Sequence, residues 1–205
     1  MNNWWFLVAI VPSIILHEVS HGWVANKFGD PTAKEAGRLT LNPIPHLDPL
    51  GSIVIPAVLV ALHQPPFGWA RPVPVNVRRL RHPRTQSLWV SLAGPAVNIV
   101  LSAIGLAMCA YAYHVNNSEN LYLAGIYLGI PNLTLAVFNL LPIPPLDGSA
   151  VVERFVPNNR LAGYYALRAR ALPLLFAFII LDNMYFHSLG GLFANLQNWW
   201  FSLIN

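Results

Sequence analysis

Two histidines and a glutamate occur within the five residues HEVSH at positions 17–21. Residues i and i+4 lie on the same face of an α-helix, so His17 and His21 can bind one metal ion. Glu18 follows the first histidine and lies off the ligand face. A carboxylate there can take a proton from a water molecule on the metal. The spacing therefore predicts a metal site with Glu18 as its catalytic base.

The apolar sequence before this cluster helps to choose between a metal site and a hydrogen-bonded interfacial cluster. The uncharged run 4–16 ends just before His17 and reaches spanning length only if it includes the cluster. Ionisable groups in a membrane helix are costly unless they are paired or bound to a metal. A hydrogen-bonded cluster at the membrane interface is the alternative. We favour the metal site, because H-E-x-x-H is the zinc metalloprotease spacing.

The composition indicates a membrane protein. Of the 205 residues, 55% are apolar and 10% are charged, outside the usual balance of soluble domains. Residues 87–113 and 121–141 are uncharged runs long enough to cross a hydrocarbon core of about 30 Å. A cleaved signal peptide is not expected, because no Lys or Arg precedes the first run. The net charge of +4 does not indicate nucleic acid, since the basic residues lie beside membrane segments.

The basic residues predict the topology. All twelve Lys and Arg residues fall within 27–84 and 154–170, and we expect both stretches to be cytoplasmic. The chain then crosses inward to near His21, outward from about Ser87, and inward again to Leu141. Residues 172–186 add a fourth crossing. The predicted fold is an all-α polytopic membrane protein with a three-helix catalytic core and a C-terminal membrane helix.

Several stretches fit this topology less simply. Residues 51–62 are too short to span the bilayer and contain Pro56, so we expect a re-entrant or interfacial segment. The sequence RPVPVNV at 71–77 alternates apolar and polar residues, which is compatible with a small β element, an edge strand at the membrane surface. Residues 151–171 are amphipathic and basic. The sequence does not decide whether residues 190–205 cross the membrane again.

A catalytic zinc usually has three protein ligands, so a third ligand is expected. The candidates are His46, Asp48, His63, His82, Asp147 and Glu153. The predicted topology favours Asp147, which follows the third crossing on the same membrane face as His21. Prolines 142, 144 and 145 prevent a regular helix there. Irregular backbone at membrane depth is tolerated where it is buried in protein or lines a wet cavity.

Two motifs in this order carry a family resemblance. HEVSH at 17–21 and NLLPIPPLDG at 139–148 together resemble the site-2 protease family of intramembrane zinc metalloproteases. The likeness continues through residues 29–53, 67–76 and 91–98, and so covers roughly residues 14–150.

The resemblance implies roles for particular residues. It implies that His17, His21 and Asp147 bind Zn²⁺ and that Glu18 activates water for peptide hydrolysis. Asn98 and Asn139 match family asparagines that hold the substrate or stabilise the oxyanion. Hydrogen bonding between helices is an equally good interpretation of both asparagines. His46 and Asp48 receive no role, and we expect a surface loop cap there.

The resemblance also gives the expected organisation and function. Residues 1–150 form the metalloprotease core, and 151–205 add an amphipathic segment and a membrane helix to the same domain. We expect a short form, without a PDZ domain between the second and third crossings and without a CBS domain after the core. The expected function is hydrolysis of peptide bonds in or near transmembrane segments of membrane proteins. The alternative is a zinc-binding membrane protein without hydrolytic activity.

The remaining expectations concern surroundings and packing. We expect a multi-pass protein of the cell membrane, with its active site toward the cytoplasm and with the lipid bilayer and a membrane-protein substrate as partners. Gly125 and Gly129 form a G-x-x-x-G pair, and Gly94, Ala96 and Ser102 are small residues on the preceding crossing. We expect these small residues to pack the two helices closely within one chain. A dimer contact is the alternative.

Overall fold

A computed structural model describes residues 4–61 and 70–204, and no β-strand occurs within them. The α-helices are α1 (Trp4–Lys27), α2 (Thr32–Glu35), α3 (Ile55–Ala61), α4 (Pro83–Tyr111), α5 (Glu119–Leu140), α6 (Ser149–Phe155), α7 (Leu161–Leu181) and α8 (Ser188–Ser202). Short 3-10 helices occur at Ile44–His46, Val77–Arg79 and Asn158–Arg160, and π-helical turns at Pro49–Val54, Ala112–Asn116 and Asp182–Phe186.

Four helical spans in the described chain are long and apolar enough to cross a membrane, judged by length and composition. They are Val8–Lys27, Pro83–Val115, Glu119–Leu140 and Asn158–Phe186. The prediction of an all-α polytopic membrane protein is thereby confirmed. The fourth span differs in extent from the prediction, because α7 continues through Pro173 and joins part of the amphipathic stretch to the apolar one.

Helix α1 is longer than the sequence indicated. It was expected to end near His21 but continues to Lys27. No proline lies between His21 and Gly29, and Gly29 adopts φ +105° and lets Asp30 N–H donate to the Ala25 carbonyl oxygen at 2.9 Å. This pattern closes a helix at a glycine in the left-handed region.

The small β element expected at residues 71–77 is not a strand in the described chain. Residues 70–76 have no regular structure, and Val77 begins a 3-10 helix. Pro72 and Pro74 have no N–H to donate to a ladder. The amides of Val73 and Asn76 donate instead to the carboxylates of Glu18 and Asp30.

The stretch expected to be re-entrant or interfacial is helical as far as Ala61, and its last residue lies outside the described residues. It consists of the π-helical turn and α3, and most of its apolar side chains are exposed. Asp48 caps its start by accepting a hydrogen bond from Gly51 N at 2.7 Å. His46 is not the surface residue we expected but is buried, with its Nε2 2.9 Å from the Thr40 carbonyl oxygen.

The residues form two compact units, the first of which comprises Val11–Gly94. Ala25, Leu80 and Val90 form its small hydrophobic core. Gly22 on α1 makes room for a crossing segment, because a Cβ atom on it would lie 2.7 Å from Val73 Cγ1. Buried Asp30 ties the loops together, accepting from Thr32 N at 3.1 Å and from Asn76 N at 2.5 Å.

The second unit contains the described residues up to Ile10 and those from Pro95 onward. Glycines let α4 and α5 meet backbone to backbone. A Cβ atom on Gly105 would lie 2.5 Å from Gly129 N and 2.6 Å from the Gly125 carbonyl oxygen. The G-x-x-x-G pair therefore packs within the chain, as expected, although Gly105 was not singled out.

The last helix is anchored in the second unit by Trp200. Its ring lies on Gly129, where a Cβ atom would approach Trp200 Cζ2 to 2.2 Å. The indole N–H donates to Ser102 Oγ at 3.1 Å, and both residues are buried. The chain end is also held by His114, whose Nε2 lies 2.7 Å from the Ile204 carbonyl oxygen.

Candidate metal centre

The two histidines of α1 lie side by side, as their spacing predicts. The ring centroids of His17 and His21 are 4.8 Å apart and the rings are nearly perpendicular. Both residues are largely buried, with exposed fractions of 5% and 8%. Two imidazoles on adjacent turns of one helix face are suited to ligating one ion, because both rings can reach the same point.

A backbone carbonyl on α4 orients one of these rings. His21 Nδ1 lies 2.6 Å from the Val90 carbonyl oxygen. A carbonyl can only accept, so this contact assigns the ring proton to Nδ1 and leaves Nε2 as the ligating atom. Such a hydrogen bond fixes the tautomer and the ring orientation of a metal-binding histidine.

Gly94 provides the space in which the histidine rings lie. A Cβ atom on it would be 2.5 Å from His21 Nε2, 2.5 Å from His17 Cε1 and 2.6 Å from His17 Nε2. These distances are shorter than any side chain tolerates, so α4 can approach the rings this closely only with glycine at position 94. The sequence placed Gly94 among packing residues and gave no signal that it faces the histidines.

The glutamate of the motif is held by the segment between α3 and α4. Val73 N–H donates to Glu18 Oε2 at 2.9 Å, and Glu18 is partly buried. This hydrogen bond fixes one carboxylate oxygen and leaves Oε1 as the atom that can accept a proton. The bond joins residues 55 positions apart, and no local pattern in the sequence could have indicated it.

Asp147 lies in the irregular loop between α5 and α6. The loop is held by hydrogen bonds from Gly148 N to the Asn139 carbonyl oxygen at 2.7 Å and from Leu146 N to that of Ile143 at 2.9 Å. A Cβ atom on Gly148 would lie 2.1 Å from the Leu140 carbonyl oxygen. The loop can therefore turn back on the end of α5 only with glycine after Asp147.

The three residues predicted as ligands form a group that could hold a metal ion. The possible ligand atoms of His17, His21 and Asp147 all lie within 4.8 Å of one another. Two imidazoles and a carboxylate are a donor set found in catalytic zinc sites. The hydrogen bond at His21 Nδ1, which leaves Nε2 for ligation, also fits this role. Of the other candidates, His63 lies outside the described residues, and Asp48 and Glu153 have structural partners.

Glu153 belongs to a separate polar cluster that fixes α6 against α7. It is buried, accepts a hydrogen bond from Tyr165 Oη at 2.7 Å and forms an ion pair with Arg168 at 3.4 Å. Tyr164 Oη also donates to the Ser149 carbonyl oxygen at 2.6 Å. Because α6 begins two residues after Asp147, these contacts stabilise the end of the loop that carries it.

The two asparagines expected near the site have different surroundings. Asn98 is fully buried and donates through Nδ2 to Asn132 Oδ1 at 2.7 Å. Asn132, which the sequence analysis did not single out, is also fully buried and donates to the Leu128 carbonyl oxygen at 2.8 Å. Asn139 is partly buried, and its Nδ2 donates to the Leu135 carbonyl oxygen at 2.9 Å. The Asn98 contact is a hydrogen bond between α4 and α5.

Curated relatives of this chain carry metalloprotease names. It is 45% identical over 164 residues to "Putative zinc metalloprotease YwhC" of Bacillus subtilis (strain 168), covering 75% of this chain and 69% of the relative. It is 33% identical over 193 residues to "Putative zinc metalloprotease Rip2" of Mycobacterium tuberculosis (strain ATCC 25618 / H37Rv), covering 93% and 70%. It is 36% identical over 143 residues to "Putative zinc metalloprotease Rip2" of Mycolicibacterium smegmatis, and that alignment covers 69% of this chain and 53% of the relative.

No family model matches the chain, and no solved structure matches it. The relatives nevertheless cover most of the chain, and the alignment with Rip2 of Mycobacterium tuberculosis covers 93% of it. The identity to YwhC and the extent of that match are enough to establish kinship. The chain therefore belongs to the zinc metalloprotease family of which YwhC and Rip2 are members.

Proposed function

We propose that this protein is a zinc-dependent intramembrane endopeptidase of the site-2 protease type, which hydrolyses peptide bonds in or near transmembrane segments of membrane proteins. His17, His21 and Asp147 are the proposed zinc ligands, and Glu18 is the proposed catalytic base. The observation that carries the proposal is the combination of this donor group with a carboxylate fixed beside it on a membrane-spanning helix.

Zinc, when bound, would polarise the substrate carbonyl and make water a stronger nucleophile. Glu18 Oε1 takes one proton from the attacking water, while Oε2 keeps its hydrogen bond to Val73 N–H. Water oxygen adds to the peptide carbon, the C–N bond breaks, and Glu18 returns the proton to the leaving nitrogen. The immediate products are a carboxylic acid and an amine, and the acid's remaining proton passes to the amine, which leaves a carboxylate and an ammonium group with the carboxylate of Glu18 regenerated.

The substrate class follows from the setting of the site. A helix of 20 residues with mean hydropathy 1.3 carries His17 and Glu18, so a substrate that reaches them has an apolar, membrane-embedded segment. Backbone carbonyls of a helical segment are hydrogen bonded, so the substrate must unwind locally before attack. We also propose that the site faces the cytoplasm, because the basic residues flank the ends of the spans on that side.

Asn98 and Asn139 remain proposed substrate contacts, with unequal support. Asn98 already uses its amide to bind Asn132 within the helix pair, which favours a structural role. Asn139 is partly exposed and lies directly before the loop that carries Asp147. Of the two, Asn139 is the better candidate for contact with the substrate.

A zinc-binding membrane protein without hydrolytic activity is the competing function. It needs the three ligands but not a carboxylate beside them. Cleavage of single-span membrane proteins by the purified protein in liposomes separates the two functions. We expect cleavage by the wild type and at least a hundredfold loss in Glu18→Gln with zinc retained. If no membrane protein in a broad panel is cleaved by zinc-loaded wild type, the binding function is favoured.

A further inference from the structure

A short proline-containing segment passes over α1 beside the proposed base. Residues 71–76, here called the strap, are tied at both ends by backbone amides. Arg71 N donates to the His46 carbonyl oxygen at 2.8 Å, and Asn76 N donates to Asp30 Oδ2 at 2.5 Å. Proline occupies positions 72 and 74, so Val73 supplies the one backbone N–H of residues 72–74. That N–H is the one that holds Glu18.

Arg38 binds the strap from the opposite side of the same backbone. Its Nη2 donates to the Arg71 carbonyl oxygen at 2.6 Å and to the Pro72 carbonyl oxygen at 3.4 Å. Only 7% of Arg38 is exposed, so its guanidinium is committed to the protein interior. The two carbonyl contacts of Nη2 offset part of the cost of burying this charge, although Nε has no hydrogen-bond partner among the described residues.

The Pro72 carbonyl and the Val73 N–H belong to one peptide group. Their bonds point in opposite directions across a planar trans peptide. Arg38 therefore holds the carbonyl end while the N–H end donates to Glu18. A donor on the carbonyl also polarises the peptide and makes its N–H a stronger donor, because hydrogen bonds in a chain reinforce one another.

We propose that Arg38 is a positioning residue for the catalytic base: it fixes the Pro72–Val73 peptide group so that Val73 N–H holds Glu18 in its reactive orientation. The inference rests on the proposed function, since it assigns to Glu18 the role of base. Arg38 touches neither substrate nor metal in this account and acts only through the strap.

The charges around Arg38 agree with its proposed position near Glu18. Burial and the neighbouring Arg71 guanidinium lower the pKa of Arg38, whereas the Glu18 carboxylate raises it. Arginine nevertheless stays protonated at neutral pH. A fixed positive charge thus lies near enough to Glu18 to interact with it electrostatically.

A double-mutant cycle in the liposome assay tests this pathway. Arg38→Gln removes the guanidinium, and Val73→Pro removes the N–H. We expect each change to lower kcat by about 10- to 100-fold, with KM within about twofold and zinc content near wild type. Because both act through one peptide group, the double variant should be no worse than the poorer single variant. Val73→Ala keeps the N–H and should lose at most about threefold.

Amide hydrogen exchange gives a readout that needs no activity. Exchange at Val73 N–H should accelerate at least tenfold in Arg38→Gln and in Glu18→Ala. Arg38→Lys, which keeps a charged donor, should restore part of the protection. The matched control is Arg79→Gln, which removes an exposed arginine paired with Glu35 and should leave Val73 exchange and kcat unchanged.

The outcomes separate this inference from the proposed function. Losses that multiply in the double variant, or unchanged Val73 exchange in Arg38→Gln, would overturn the positioning role even if the wild type cleaves its substrate. Accelerated exchange in a protein that cleaves nothing would support the physical link and reject the proposed function. Loss of zinc from Arg38→Gln would also overturn the inference, since it would place Arg38 in metal binding.

Discussion

Gly94 of α4 and His21 of α1 approach so closely that a Cβ atom on the glycine would lie 2.5 Å from His21 Nε2. The same atom would lie 2.5 Å from Cε1 of His17. We therefore expect Gly94→Ala to displace both rings and to lower zinc affinity by about 10- to 100-fold. Competition with a chelator of known affinity measures this. Gly163→Ala is the control, because a Cβ atom there meets nothing within 4 Å. Equal zinc affinity in the two variants would contradict the predicted role of Gly94.

A second prediction concerns the anchoring of α8. Gly129→Ala would place a methyl group 2.2 Å from Trp200 Cζ2. We expect a lower free energy of unfolding by about 1–3 kcal/mol, the usual cost of overpacking. Gly191→Ala meets nothing within 4 Å and replaces a glycine inside α8, so it should be neutral or slightly stabilising. Unfolding in mixed detergent micelles gives both values. Equal stability of the two variants would show that α8 does not pack on α5 through Trp200.

The buried amide pair supports a third prediction. Asn98 and Asn132 are both 0% exposed and joined by a hydrogen bond of 2.7 Å. In a double-mutant cycle with alanine, we expect a coupling free energy of about 0.6 kcal/mol and at most about 1.7 kcal/mol. Asn98→Ala should then lower stability while leaving KM little changed. A large rise in KM without loss of stability would instead assign Asn98 to substrate binding.

A fourth prediction contrasts a buried carboxylate with an exposed one. Asp30→Asn replaces an acceptor with an NH₂ group facing the backbone amides of Thr32 or Asn76. Each amide left without its acceptor costs about 1–3 kcal/mol, so a marked fall in unfolding temperature is expected. Glu35→Gln disrupts the exposed ion pair with Arg79 and should have no measurable effect. If Asp30→Asn were as stable as Glu35→Gln, Asp30 would not be the link between these loops.

Much of the fold was predictable because its signals are local. Long apolar runs predict spans, and the i, i+4 spacing places His17 and His21 on one helix face. Gly125 and Gly129 likewise indicate close helix packing through their spacing alone. The error at residues 71–77 has a physical cause. Alternating side chains favour a strand, but the available N–H groups of Val73 and Asn76 are taken by carboxylates instead of a neighbouring strand.

The rest of the site depends on contacts that sequence spacing does not encode. The Val73 bond to Glu18 and the Val90 bond to His21 join residues 55 and 69 positions apart. The importance of Gly94 arises from what lies opposite it, and a small residue on a membrane helix gives no hint of its neighbour. Asn132 was missed for the same reason, since its partner Asn98 lies on another helix.

The proposed metal centre is tested most directly by the zinc content of the purified protein in detergent, measured for wild type, His21→Ala, Asp147→Ala and Glu18→Gln. We expect about one zinc per chain in the wild type, because a catalytic site of this kind uses three protein ligands for one ion. The ion should be lost from His21→Ala and Asp147→Ala and kept in Glu18→Gln. Full zinc content in Asp147→Ala would contradict the proposed ligand set, and a metal-replete wild type without zinc would contradict the metal centre itself.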